Sequence, residues 1–192
     1  WAYKSNPVVF ACVRARVSLF SEARFQFRQV RQGRPGDLFG NADLGILEVP
    51  WPNGVTGDLL ARMLQDADLA GNAFIYRRGD TLVRLRPDWV TIILGSDQDP
   101  EVEAWDLNAE VLGYGYQEGG YAAGKAPVFL QRQQVAHYAP IPDPLAPYRG
   151  MSWLTPILRE VAADSAATAH KLKFFENGAT PNMVVSLDPG IQ

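Results

Sequence analysis

A long helical pattern over residues 150–181 constrains the fold of this chain more than any other feature. Thr155 is placed to accept a hydrogen bond from the first-turn amides, and Pro156 suits the first helical position. Asn177-Gly178 supplies a left-handed stop, with Pro181 beyond it. A helix of roughly 22 residues is about 33 Å long, because each residue adds about 1.5 Å. We therefore expect one helix that is long enough to span a small domain.

Apolar and small residues recur along this helix at the alternating spacing of four and three that makes one face. The face is formed by Leu154, Leu158, Val161, Ser165, Thr168, Leu172 and Phe175, and its middle is widened by Ala162, Ala163, Ala166, Ala167 and Ala169. Two interpretations stay open, a core helix of high alanine propensity and a helix packed against copies of itself. Because the chain ends so soon after the helix and begins with Trp1, we expect a fragment.

Composition limits the classes of function. An apolar content of 47% in 192 residues is enough for a true core, so disorder is not expected. A net charge of -3 and a pI near 5.4 do not favour a broad electrostatic grip on nucleic-acid phosphates. Cys12 is the single cysteine of the sequence. No apolar run approaches a membrane span and no signal peptide is recognised, so no membrane partner is predicted.

Two shorter helices are predicted in the first part of the chain. Asn6-Pro7 begins a helix over residues 7–21, whose apolar face is expected to be Phe10, Val13, Val17 and Phe20. Thr56 is expected to cap a second helix, which Gly71 ends. Its apolar face is expected to be Leu60, Met63, Leu64 and Ala67.

Short strands are predicted through the rest. A strand is expected in RFQFRQV from Arg24, ended by Gly33, Pro35 and Gly36, and a hairpin is expected at Arg78-Gly79-Asp80. Further strands are predicted in DWVTIIL, VLGYGYQ, PVFLQ and VAHYA, followed by an extended strap in PIPDPLAPYRG. The predicted fold class is α+β, mainly antiparallel short strands with amphipathic helices packed on them, plus one long C-terminal helix.

Gly119 to Lys125 nearly reproduce the G-x-x-x-x-G-K spacing of a phosphate-binding loop. Ala126, however, stands where a hydroxyl would bind magnesium, and Pro127 before VFLQ predicts a strand where the motif needs a helix. We therefore interpret the segment as a flexible hairpin tip. A small glycine-loop hydrolase or nucleotide-binding enzyme is kept as the alternative.

Other chemistry-bearing residues do not form a recognisable motif. His137 and His170 have no cysteine partner or close acidic motif, and Ser152 is not in a nucleophile elbow, so structural or surface roles are predicted. Asp66 and Asp68 point to different sides of a helix. Asp97 and Asp99 lie in a predicted turn, and Tyr114, Tyr116 and Tyr121 suit either one face of an exposed hairpin or an aromatic binding loop. No catalytic, cofactor-binding or metal-ligating residue is therefore nominated.

The order of these segments resembles the portal proteins of tailed bacteriophages, the head-to-tail connector family, over most of the chain. Gly71-Asn72-Ala73 and the residues from Phe174 to Ala179 are the most distinctive parts of the resemblance. The segments that carry it are NPVVFACVRARVSLF, PWPNG, LLARMLQDADLAGNAFIYR, TLVRLRPDWVTI, QVAHYAPIPDP and RGMSWLTPILREVAADSAATAHKLKFFENGATPNMVVS.

The resemblance implies a structural subunit rather than an enzyme, without a cofactor. Portal subunits form a ring, usually a dodecamer, at one capsid vertex, and double-stranded DNA passes through the ring without sequence specificity during packaging and ejection. The ring is a docking site for the terminase large subunit, for capsid or scaffold protein, and for head-completion or adaptor proteins. We expect a virion location after assembly in the bacterial host cytoplasm, with a phage or prophage origin.

The resemblance also implies a domain organisation. Residues 1–150 are expected to form a wing-like α+β domain that ends in the Pro-rich strap. Residues 151–178 would be the long helix leading toward a stem, and residues 179–192 the start of a truncated following segment. Because the channel-facing parts would follow, no DNA-facing residue is nominated. A different virion adaptor protein is a further alternative.

Overall fold

The computed structural model describes residues 2–25, 28–31, 34–38, 44–96 and 102–178. These residues form an α+β fold with short antiparallel strands, packed helices and one long helix near the end, which confirms the predicted fold class. The helices are α1 (Ala2–Ser5), α2 (Pro7–Ser21), α3 (Gly45–Glu48), α4 (Thr56–Ala70) and α5 (Leu158–Glu176). The strands are β1 (Arg28–Arg31), β2 (Arg34–Leu38), β3 (Ala73–Arg78), β4 (Thr81–Leu85), β5 (Val90–Gly95), β6 (Glu110–Tyr116), β7 (Val128–Gln131), β8 (Val135–Tyr138), β9 (Pro142–Asp143) and β10 (Ala146–Gly150).

The described strands pair antiparallel in small sheets. Strand β3 lies between β4 and β8, β6 lies between β5 and β7, and β1–β2 and β9–β10 are two-stranded. The predicted hairpin is confirmed, because Arg78 pairs with Thr81 and Gly79 takes a left-handed φ of 60° that glycine tolerates. The strands predicted in the four later segments are confirmed as β5, β6, β7 and β8.

Two apolar clusters hold these elements together. One joins the two three-stranded sheets and is formed by Phe74, Leu85, Val90, Tyr114, Leu130 and Val135. The other joins the N-terminal helices to the start of α5 and is formed by Ala2, Val9, Val13, Leu154 and Val161. The body is therefore a sheet core with a helical cluster beside it, and α5 starts from the helical cluster.

Helix α2 begins as predicted. The Asn6 side-chain oxygen accepts hydrogen bonds from the amides of Val8 and Val9 at 3.0 and 3.1 Å. Its buried face differs by one position from the prediction, because Val9 and Val13 are buried whereas Phe10 is exposed. The exposed Phe10 ring contacts the Tyr3 ring in a tilted arrangement, with centroids 5.3 Å apart.

Helix α4 ends as predicted at Gly71, which has a left-handed φ of 73°. Thr56, however, is not its cap. The Asp58 carboxylate accepts from the Val55 amide at 3.2 Å, and the Thr56 hydroxyl donates to the Leu47 carbonyl at 2.9 Å. The helix therefore starts on a carboxylate, and Thr56 fixes the preceding α3 turn.

Two expectations about strands were wrong. The strand predicted from Arg24 begins only at Arg28, and Pro35 and Gly36 lie inside β2 instead of ending β1. Gly33 lies outside the described residues. The Pro-rich segment is the β9–β10 hairpin rather than a strap, with Ala146 paired to Asp143. In a two-stranded ribbon each strand has a free edge, and a proline whose nitrogen faces that edge removes no ladder hydrogen bond.

The long helix is confirmed, although its start differs from the prediction. A 3₁₀ turn at Thr155–Ile157 precedes α5, and Thr155 provides no cap. The Ser152 hydroxyl accepts from the Leu154 amide at 3.1 Å and so supports the turn that the sequence assigned to Thr155. The end is as predicted, with a φ of 63° at Gly178, while Pro181 lies outside the described residues.

Candidate assembly surface

The first turns of α5 are fixed to the N-terminal helices. Val161 is buried in the same apolar cluster as Val9 and Val13, and Asn6 donates a side-chain hydrogen bond to Asp164 at 2.8 Å. Asn6 thus has two tasks, since its oxygen caps α2 and its amide nitrogen holds α5. We call Leu158–Ser165 the root of α5.

Three consecutive residues of β10 attach the chain to the body just before α5. The Tyr148 hydroxyl donates to the Ala109 carbonyl at 2.5 Å. Arg149 donates to the carbonyls of Val90 and Pro87 at 3.2 and 3.3 Å, and burial lowers its pKa. Strand β10 therefore ties the helix to the β5–β6 side of the body, a role that a free strap could not fill.

The third attachment is a buried polar cluster of Gly71, Asn72, His137 and Gly150, called here the Asn72 cluster. The Asn72 amide donates to the carbonyls of Ala70 and Gly150, both at 2.9 Å. Its oxygen accepts from the Gly150 amide at 2.8 Å and lies 2.9 Å from His137 Nε2. A Cβ atom on Gly71 or Gly150 would collide with the other residue's carbonyl oxygen, so both positions require glycine.

His137 packs inside this cluster as a neutral ring. It stacks on Phe74 with ring centroids 4.3 Å apart. Burial, and then the nearby positive charge of Arg149, lower its pKa to about 4. Because the Asn72 oxygen accepts, His137 Nε2 carries the proton and donates it. The ring therefore has a structural role, in packing and in hydrogen bonding.

The remainder of α5, Ala166–Glu176, is called here the outer half, and it lacks such contacts in the described chain. Leu172, Phe174 and Phe175 are 57%, 48% and 71% exposed. The predicted apolar face is therefore buried only at Leu154 and Val161, with Ser165 half-buried, and the alanines Ala162, Ala163, Ala166, Ala167 and Ala169 are exposed. The core-helix interpretation is wrong for the outer half, which instead presents an apolar surface without a partner among the described residues.

The glycine-rich segment that resembles a phosphate loop is the tip of the β6–β7 hairpin. Lys125 forms a salt bridge with Glu118 at 2.8 Å, and both side chains are well exposed. Strand β7 follows Ala126 and Pro127 directly, at the position where a phosphate-binding loop would open a helix.

The predicted acids lie in different places. Asp66 and Asp68 do point to different sides of α4, where each is buried and paired, with Arg84 at 2.5 Å and with Arg16 at 3.0 Å. These hydrogen bonds raise the pKa of both arginines. Asp97 and Asp99 lie outside the described residues. The two arginine–aspartate pairs join α4 to β4 and to α2, a structural role that helical periodicity alone could not indicate.

The remaining candidates differ in their surroundings. The Ser152 hydroxyl donates to the Asp68 carbonyl at 2.5 Å, and His170 is exposed on α5. Tyr114 is buried in the sheet core, which raises its pKa, so the exposed-face interpretation is wrong for it, whereas Tyr121 is exposed. Across the described ranges, no three His, Cys, Asp or Glu side chains are grouped to bind a metal ion. Among the helices described, none has the length and apolar character needed to cross a bilayer.

Comparisons with known proteins give one family and several solved structures. A family model described as phage portal protein matches residues 7–192. A neck of a native gene transfer agent particle computed with C12 symmetry is similar, with a TM-score of 0.67 and 18% identity over 98% of this chain and 49% of that chain. A virion of the native particle is also similar, with a TM-score of 0.69 and 17% identity over 98% of this chain and 49% of that chain.

A third structure, the neck of the empty particle computed with C6 symmetry, gives a TM-score of 0.70 and 18% identity over 97% of this chain and 50% of that chain. The chain thus spans about half the length of the solved chains that it matches. None of the curated proteins is similar enough in sequence to match. At these identities the solved structures show only a shared fold. The assignment to a family rests on the family model that matches residues 7–192.

Proposed function

The chain belongs to the phage portal protein family, and from that premise we propose that it is part of a structural subunit of the portal ring at a capsid vertex. Copies associate into a ring, and double-stranded DNA is packaged and ejected through its centre. The terminase large subunit, capsid or scaffold protein and head-completion or adaptor proteins dock on the ring. The subunit is not an enzyme and resides in the virion.

The observation that carries this proposal is the outer half of α5. Apolar side chains such as Leu172 and Phe175 are exposed in the described chain, although they stand on a long and well-formed helix. Exposed apolar groups of this kind are costly in water and are typical of surfaces that other chains cover. The C12 symmetry of a similar particle neck supports neighbouring copies as the cover.

We propose the same division of the chain that the sequence suggested. Residues 1–150 form the wing-like body and residues 151–178 form the helix that leads toward a stem, with residues 179–192 beginning the next segment. The root of α5 is packed on the body, so the helix leaves it in a fixed direction. The small net charge of -3 suits a subunit near DNA that must slide, since dense positive charge would bind phosphates tightly.

Electron microscopy of the full-length subunit tests this proposal. Closed rings with a central channel are expected at micromolar concentration. Only monomers or open aggregates, under conditions in which the protein is folded, would contradict it. A melting-temperature scan with nucleotide and magnesium tests the enzyme alternative, because a ligand at about 100 times its dissociation constant would stabilise by about 2.7 kcal/mol. We expect no shift.

A further inference from the structure

A groove of about 360 Å³ lies between the β3–β4 hairpin and the turn before α4. Trp51, Leu82 and Val83 supply apolar lining, and Arg62 and Arg78 supply positive charge. The guanidinium carbon of Arg62 lies 4.4 Å from the Trp51 ring centroid, within the range of a cation–π contact. The groove therefore suits an acidic segment that also carries a large apolar side chain.

Two of the arginines that line this groove carry charges that no salt bridge within the described chain neutralises. Arg84 is bound to Asp66, but Arg62 and Arg78 form no salt bridge with any carboxylate of the described residues. Exposed arginine beside tryptophan is a combination enriched at protein interfaces, where both residue types contribute disproportionately to binding.

The chain also carries a segment of the complementary chemistry. Every charged residue from Pro87 to Gly124 is acidic. In the described part of the β5–β6 connection, Glu103 and Asp106 flank Trp105, which is 67% exposed, and Leu107 beside them is fully exposed. The base of the segment is fixed by the Tyr148 hydrogen bond to Ala109. Residues 102–110, called here the acidic segment, thus present acidic groups and apolar anchors together.

The acidic segment does not fill the groove of its own chain. None of its described residues lines the groove. Every copy nevertheless carries both the groove and the acidic segment. Identical copies can therefore bind head to tail, which is the arrangement that closes into a ring.

We propose that the acidic segment of one copy binds in the Trp51 groove of the adjacent copy in the ring. Glu103 and Asp106 face Arg62 and Arg78, and Trp105 packs on the apolar lining beside Trp51. The inference rests on the proposed function and names one of its subunit contacts. Because the contact is electrostatic and exposed at its rim, assembly weakens as salt rises from about 0.1 M to 1 M, where the Debye length falls from about 10 to 3 Å.

Charge reversal in the full-length subunit tests the contact. One variant combines Arg62→Glu with Arg78→Glu, and a second combines Glu103→Lys with Asp106→Lys. Each alone is expected to raise the concentration needed for half-assembly about tenfold or more, because like charges then meet across the interface. A 1:1 mixture is expected to restore rings with alternating copies. In such a ring each groove meets an acidic-segment region of opposite charge. Arg14→Glu with Arg24→Glu is the matched control and should assemble as the parent does.

Mass photometry and electron microscopy separate the outcomes. Restored assembly in the mixture supports the contact, and it also shows that both variants are folded. If the parent forms rings and both variants form them equally well, this contact is wrong while the proposed function stands. If rings form normally but the arginine variant loses affinity for a double-stranded DNA fragment, the groove binds phosphate and the proposal is overturned. If the parent itself forms no rings, the proposed function fails first.

Discussion

The root and the outer half of α5 share one helix but have opposite environments. In the root, Val161 is buried with Val9 and Val13, and Asp164 is bound by Asn6. In the outer half, Leu172 and Phe175 are exposed to solvent in the single chain. Both halves belong to one continuous α-helix, so the difference lies in what each half contacts. A helix can therefore be intrinsically well formed over its whole length while only part of it contributes to the stability of its own chain.

Val161→Asp should produce the largest effect, because it places a charge in the packed root. An unpaired carboxylate at this buried position should lower the free energy of unfolding by about 3–4 kcal/mol, measured by urea denaturation of the 192-residue chain. Ala166→Asp adds the same charge on the exposed side of the same helix and should cost about 0.5 kcal/mol. Equal losses from the two variants would show that the root is no better packed than the outer half.

Asn72→Ala tests how firmly the root is held to the body. The change removes two donated and two accepted hydrogen bonds and leaves buried groups of Gly150 and His137 without their partner. The expected loss is about 3 kcal/mol in the free energy of unfolding, since unsatisfied buried groups carry the full desolvation cost. Asn108→Ala, in an exposed connection, is the control. A loss below about 1 kcal/mol would mean that the Asn72 cluster does not hold β10 in place.

These contacts mark the limit of what the sequence predicted. Helices α2 and α4, the β3–β4 hairpin and the long α5 follow from local signals, namely Asn6-Pro7, the Gly71 stop, the Arg78-Gly79-Asp80 turn and the Asn177-Gly178 stop. The one distinct signal for the Asn72 cluster was the Gly71-Asn72 pair in the family resemblance. Its partner Gly150 is 78 residues away, so no local pattern could join the two.

The sequence did not predict that the root of α5 is packed and its outer half exposed, for a related reason. The stripe from Leu158 to Phe175 is periodic throughout, and periodicity reports that a face is apolar without saying what covers it. The missed β9–β10 hairpin has the opposite cause, since its prolines suppressed the strand signal, although a two-stranded ribbon tolerates them.

His137 makes the stability of the Asn72 cluster, which holds the root to the body, depend on pH. Its folded-state pKa of about 4 lies below the unfolded value of about 6.5, so the unfolded chain takes up the proton first as the pH falls. The neutral ring therefore contributes fully to the free energy of unfolding above pH 6.5, and this contribution is lost as the pH falls toward 4. His137→Gln, whose amide still donates to Asn72, should remove up to about 2 kcal/mol of this pH-dependent loss, allowing for the partial exposure of the ring.

His170→Gln is the matched control for that measurement, because His170 is exposed on the outer half of α5. Its profile of unfolding free energy between pH 4 and 7 should follow that of the parent. Identical profiles for the His137 variant and the parent would show that the ring titrates normally and that burial does not hold it neutral.

The smallest effect on stability should come from the outer half itself. The double change Leu172→Ser and Phe175→Ser removes two large apolar side chains that contact little in the single chain. The free energy of unfolding at concentrations where light scattering shows single copies should change by no more than about 0.5 kcal/mol. In the full-length subunit the same change should impair ring assembly, because the exposed face then has less apolar surface to bury against its neighbour. A stability loss above about 1.5 kcal/mol in the single chain would place the outer half in the chain's own core, and the division of α5 into two halves would fail.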